Sequence, residues 1–130
     1  MYSKTLVPLD GSQLAEQILP YARLIAAAHE IPVELFWVND IEVASWPLRS
    51  GREYLRQAAA KYFAASAQIN SIEADGKPAE MIVRRAESEP ECVIAMATHG
   101  VSDIRRWVLG SVAEKVIQHS RAAVLLVRAG

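Results

Sequence analysis

Five short apolar runs recur along the chain, each set apart from the next by a longer stretch of helical composition, and this alternation limits the possible folds more than any other feature. The runs are Thr5-Leu6-Val7-Pro8-Leu9, Val33-Glu34-Leu35-Phe36-Trp37-Val38, a weaker one from Ile69 to Ala74, then Cys92 to Ala97, and finally Ala122 to Val127. Strand-like runs alternating with helical stretches are the pattern of a parallel sheet wrapped by helices, so the class is α/β. The fourth run is nearly all apolar, as a central strand covered on both faces requires.

The intervening stretches carry their own start and stop signals. Leu14, Ile18, Ala22 and Ile25 recur at helical spacing behind Ser12, which suits an N-cap. After an irregular connection with Trp46-Pro47 and Ser50-Gly51 as breakers, the chain from Arg52 to about residue 67 is alanine-rich and helical in composition. Pro78 suits the first turn of a helix marked by Met81, Ile82 and Ala86, which Glu89-Pro90 closes. Ser111-Val112-Ala113-Glu114 matches a capping box, in which the hydroxyl and the carboxylate satisfy free N–H groups, and predicts a helix from Ser111 to about His119. No repeat or linker divides the chain, and 130 residues suffice for one core, so residues 1–130 are expected to form a single domain.

Charge and composition exclude several classes of function. A formal net charge of −1 leaves no global basic field for nucleic acid. No stretch approaches the roughly 20 apolar residues of a membrane span, and the N-terminus has no signal-peptide pattern, so a soluble cytoplasmic protein is expected. Cys92 sits inside an apolar run and reads as a small buried hydrophobe. His29, His99 and His119 lack ligand spacing, so no metal site is assigned.

Two strand ends carry unusual chemistry. Asp10-Gly11-Ser12 follows the first strand, and Ala97-Thr98-His99-Gly100 follows the fourth, with Gly110-Ser111 beyond it at a helix start. Ligands of open parallel sheets collect outside the carboxyl ends of the strands where strand order reverses, so both ends can line one crevice. Glycines let backbone N–H groups approach an anion, and a helix N-terminus adds unpaired donors with partial positive charge. Ser111 also has a sufficient explanation as a cap, Asp10 as a turn-forming carboxylate, and Val38 and Met96 as core. His99 stands without a visible nucleophile, base and orienting partner, so no catalytic residue is named.

The segments Met96-Ala97-Thr98-His99-Gly100, Leu109 to Val116 and Ala123 to Arg128 resemble the C-terminal signature of universal stress proteins. The resemblance extends to Val7-Pro8-Leu9-Asp10-Gly11-Ser12 and Gly76-Lys77-Pro78-Ala79, and so to nearly the whole chain. It implies a five-stranded parallel sheet of order 3-2-1-4-5, helices on both faces, of the adenine nucleotide alpha hydrolase-like type. It also implies a homodimer paired through Val124, Leu125, Leu126, Val127 and Arg128. The ATP-binding members carry a G-x-x-G ahead of G-S or G-T; here Gly100, Gly110 and Ser111 match, whereas Ala97 stands at the first glycine and Asp103 adds a carboxylate within the loop.

By that resemblance Asp10 sits near the ribose, the phosphates or their Mg²⁺, Val38 lies against the adenine, and Met96 and Ala97 flank the ribose. Gly100, Gly110, Ser111 and Val112 meet the phosphates. The function implied is an ATP-binding, dimeric stress-response protein with little or no turnover. The alternative is a dimeric interaction module that holds no nucleotide, with a slow ATP hydrolase as a third reading. No Walker-type G-x-x-x-x-G-K-[ST] is present.

Overall fold

The computed structural model describes residues 2–41, 51–98 and 110–128. Its strands are β1 (Lys4–Pro8), β2 (Val33–Asp40), β3 (Ile69–Gly76), β4 (Cys92–Thr98) and β5 (Ala123–Arg128), and its helices are α1 (Gln13–Glu16), α2 (Leu19–His29), α3 (Gly51–Tyr62), α4 (Pro78–Glu87) and α5 (Ser111–His119). The strands form one sheet in the order β3-β2-β1-β4-β5, and every neighbouring pair is parallel.

Alternate side chains along each strand enter separate cores on the two faces. Val7, Leu35, Trp37 and Ala95 meet Ile18, Leu19 and Ala22 from the α2 segment and Tyr54, Leu55 and Ala58 of α3. Leu6, Phe36, Ile94 and Met96 meet Ile82 and Ala86 of α4 and Ala113 and Val116 of α5. Helices therefore cover both faces. The outer strand β3 is only half-buried and alternates in exposure, which is why its apolar signal in the sequence is weak.

The stretch after β1 departs from the single helix that its spacing predicts. Ser12 is the N-cap, with its Oγ accepting from the Ala15 N–H at 3.1 Å, but α1 ends at Glu16 and α2 begins afresh at Leu19. Pro20 is the cause: its ring removes a donor and clashes with the preceding turn, so the chain restarts with Pro20 in the new first turn. Helix α3 also stops short of residue 67, at Tyr62. Beyond it Phe63 is buried in the core, and Gln68 must bring its carbonyl to the Val33 N–H at 2.9 Å to start β3.

At the amino ends of the strands a buried ion group joins the sheet to α4. Glu34 is 4% exposed; its Oε1 accepts from Lys4 Nζ at 3.0 Å and from Arg85 at 2.7 Å, and its Oε2 accepts from Arg85 Nε at 2.8 Å. Burial alone pushes the Glu34 carboxyl up, but the hydrogen bonds and charges of Arg85 and Lys4 outweigh it and leave the carboxyl below its ordinary value. Cys92 is buried at the same end, and burial raises its thiol above the ordinary range, consistent with an inert packing residue.

Removing one member of a buried ion group strands the others. Glu34→Gln is expected to destabilise the protein by about 3 kcal/mol in urea titrations at neutral pH, because Lys4 loses its main counter-charge. Since the folded carboxyl is lowered, its stabilisation is full above the unfolded carboxylate range and disappears as pH falls through the folded value. The wild type should therefore show an acid-side loss of stability that is shallower in Glu34→Gln.

Candidate functional site

At the carboxyl ends of β1, β2 and β4 lies a cavity of about 510 Å³, a size common among small-molecule sites. Its position is the place where the strand order reverses, with β2 on one side of β1 and β4 on the other. Asp10, Val38, Met96, Ala97, Gly110, Ser111 and Val112 all line it, so the structure brings together every sequence-predicted site residue that it describes. Gly100 lies outside the described residues, as do His99, Asp103 and Trp46.

One wall is the turn after β1. Gly11 has φ +88°, a left-handed conformation that a side chain would strain. Its neighbour Asp10 holds the turn through Oδ1, which accepts from the Ser12 N–H at 2.9 Å and from the Ser12 hydroxyl at 2.6 Å. Ser12 in turn caps α1, whose Leu14 and Ala15 also face the cavity. Asp10 thus builds the turn through its carboxylate and is also one of the residues lining the cavity.

The floor is apolar, formed by Phe36, Val38, Ile82 and Met96. Beside it Trp37 donates its indole N–H to Asn39 Oδ1 at 3.0 Å, while Asn39 Nδ2 donates to Glu73 at 3.0 Å and to Asp75 at 2.8 Å. The Asn39 amide is therefore committed to the scaffold. Trp37 also packs at 52° to Tyr54, with the ring centroids 5.2 Å apart. The tyrosine hydroxyls of Tyr54 and Tyr62 donate to Glu16 of α1 at 2.5 and 3.1 Å, which ties the cavity wall to α3.

The third wall corrects the capping box. Gly110, not Ser111, occupies the N-cap of α5, with φ −59° and ψ 146°, and among the described residues no side chain caps the helix. The register shifts by one residue because the buried Thr98 hydroxyl accepts the Gly110 N–H at 3.1 Å and the Gly110 carbonyl accepts from Glu114 at 2.9 Å. Ser111 becomes the first helical residue. Helix geometry leaves the N–H groups of such a first turn without intrahelical acceptors, and here Ser111, Val112 and Ala113 face the cavity. The arrangement is a set of backbone donors with partial positive charge at one end of an apolar slot, suited to an organic anion.

The universal stress protein family model matches residues 1–128. The chain belongs to that family. A universal stress protein of Methanocaldococcus jannaschii is 30% identical over 141 residues, covering 98% of this chain and 83% of the relative. A solved universal stress protein of the same organism is 28% identical with a TM-score of 0.81, covering 100% of this chain and 98% of that one. The structure of the universal stress protein from Archaeoglobus fulgidus in complex with dAMP shares the fold at 21% identity and a TM-score of 0.71, with 98% of each chain covered. The family's five-stranded parallel order 3-2-1-4-5 is the order found here.

Thr98, Asn39 and Asp40 also line the cavity of this universal stress protein and were not singled out as site residues. The available signal was positional: Asn39-Asp40 is the polar break at the end of β2, and Thr98 follows Ala97 directly. The helix-start geometry has a direct consequence for stability. Ser12→Ala should cost about 1 kcal/mol in thermal or urea unfolding, whereas Ser111→Ala should change stability by less than about 0.5 kcal/mol, because only the first serine caps a helix.

Proposed function

We propose that this universal stress protein holds ATP, with Mg²⁺, in the cavity between β1 and β4, and acts as a dimeric regulatory protein with little or no turnover. The observation that carries the reading is the first turn of α5, uncapped by any side chain among the described residues, facing an apolar slot, since a nucleotide joins an aromatic base to an anion. The dAMP held by the Archaeoglobus fulgidus protein supports an adenine nucleotide as the ligand class to test first.

In this reading the base lies along the apolar floor beside Val38 and Met96. The ribose passes between the Asp10 turn and Ala97. The phosphates take the N–H groups of Ser111 and Val112 and the Ser111 hydroxyl, Gly110 leaves them room by lacking a side chain while its own N–H is donated to Thr98, and Gly100 is a further backbone contact carried over from the family pattern. Mg²⁺ supplies neutralisation of phosphate charge next to Asp10. Ala97 is compatible with this arrangement because its methyl packs with the core beneath α1–α3, whereas the α5 amides come from the opposite layer.

The open edge of β5 supports pairing between copies. Val124 and Leu126 pack toward one core and Leu125 and Val127 toward the other, so both rows of side chains on this edge strand are apolar and only partly covered. A partner strand satisfies the unpaired backbone groups and covers these side chains.

Three measurements test the reading. ATP with Mg²⁺ at about 100 times its dissociation constant should stabilise the protein by about 2.7 kcal/mol, seen as a rise of several degrees in Tm. Ser111→Asp should keep or slightly raise basal stability, since an acidic residue suits a helix N-terminus, yet weaken ATP at least about tenfold. No Tm shift at millimolar ATP, or equal ATP affinity in Ser111→Asp, would falsify the nucleotide assignment. For the dimer, sedimentation equilibrium should return the mass of two 14.3 kDa chains, and Val127→Lys should return that of one; a wild-type monomer at micromolar concentration rejects the pairing.

A further inference from the structure

A second cavity, of about 540 Å³, runs along the groove between α4 and α5. It shares the wall residues Asp40, Pro78, Ser111 and Val112 with the first, so the two adjoin. Pro78 and Ser111 are the first residues of α4 and α5, which places the seam where both helices begin. We propose that this groove is a second lobe of the nucleotide site and takes an organic group joined beyond the phosphate chain, as in a dinucleoside polyphosphate. The proposal rests on the nucleotide reading of the first cavity.

Position, size and lining support the assignment. Phosphates bound at the α5 first turn end at the seam, because Ser111 and Val112 face both lobes, so whatever they carry next enters the groove. The groove is as large as the first lobe and exceeds what one more phosphate needs. Its apolar surface comes from Ala79 and Val83 on α4; Lys115 and His119 of α5 flank it, as do the carboxylates Asp40 and Glu87. An apolar patch with a lysine beside it suits a second aromatic base, which gains from burial and from a cation near its π face. Arg84 contributes less, since it is paired with Glu80 at 3.0 Å on the rim. Two comparable lobes meeting at a donor-rich seam have the layout of two nucleosides joined by phosphates.

Calorimetric titration of the full chain with ATP and with diadenosine tetraphosphate, both with Mg²⁺, tests this. The dinucleotide should bind the wild type at least about tenfold more tightly than ATP. Val83→Trp, which fills the second lobe, and Lys115→Glu, an exposed change that spares the core, should each abolish that advantage while leaving ATP affinity within about twofold. Equal affinity for the two ligands in the wild type, or an advantage that survives both substitutions, overturns the second lobe. Absence of ATP binding is a different result: it overturns the nucleotide reading, and the second lobe with it.

Discussion

The handedness of parallel crossovers sets where everything else can be. Each strand–helix–strand connection is right-handed, so the helices leaving β1 and β2 toward β3 must lie on one face of the sheet. The return from β3 to β4 runs the other way past β1, so α4 and then α5 lie on the opposite face, as their separate cores show. The chain leaving β1 thus turns toward one layer and the chain leaving β4 toward the other, and a crevice opens between them. No special residue is needed to create it. What the sequence adds is the lining: a carboxylate turn after β1, an apolar floor from β2 and β4, and a helix start with its donors exposed.

Polar side chains then fix the walls from behind. Asn39 spends its oxygen on Trp37 and its nitrogen on Glu73 and Asp75, so it braces the ends of β2 and β3 and has little left for a ligand. Glu16 accepts from two tyrosines of α3, which holds the four-residue α1 in place although so short a helix has almost no stability of its own. At the other end of the sheet, Glu34 joins β1, β2 and α4 through Lys4 and Arg85. The buried ion group and the candidate site therefore lie at opposite ends of the strands.

How much of this was legible follows from what is local in the chain. The β4 run and the Asp10-Gly11-Ser12 turn were readable because burial on two faces and left-handed backbone leave short-range marks. The break at Pro20 was missed because Leu14, Ile18, Ala22 and Ile25 keep helical spacing across it, and an apolar period says nothing about a lost N–H. The capping box failed for a different reason. Ser111 and Glu114 satisfy the motif, but the register of α5 is decided by Thr98, which lies far away in sequence and next door in space. The site itself stayed legible, since Gly110 and Ser111 mark a helix start after β4 whichever of them is the N-cap.

The composition of the cavity bears on what a bound nucleotide can do. Among the described residues no lysine, arginine or histidine lines it, while Asp10 and Asp40 do. In the nucleotide reading the described wall would meet an anion with backbone donors, equivalent to about half a charge at a helix N-terminus, beside a divalent cation brought with the ligand. Asp10, the carboxylate nearest in role to a general base, already accepts two hydrogen bonds from Ser12 and holds the turn that caps α1. Moving it to activate a water would loosen the cavity wall itself. In the nucleotide reading a ligand would bear on the start of α5, where the Thr98 contact and the groove toward α4 meet.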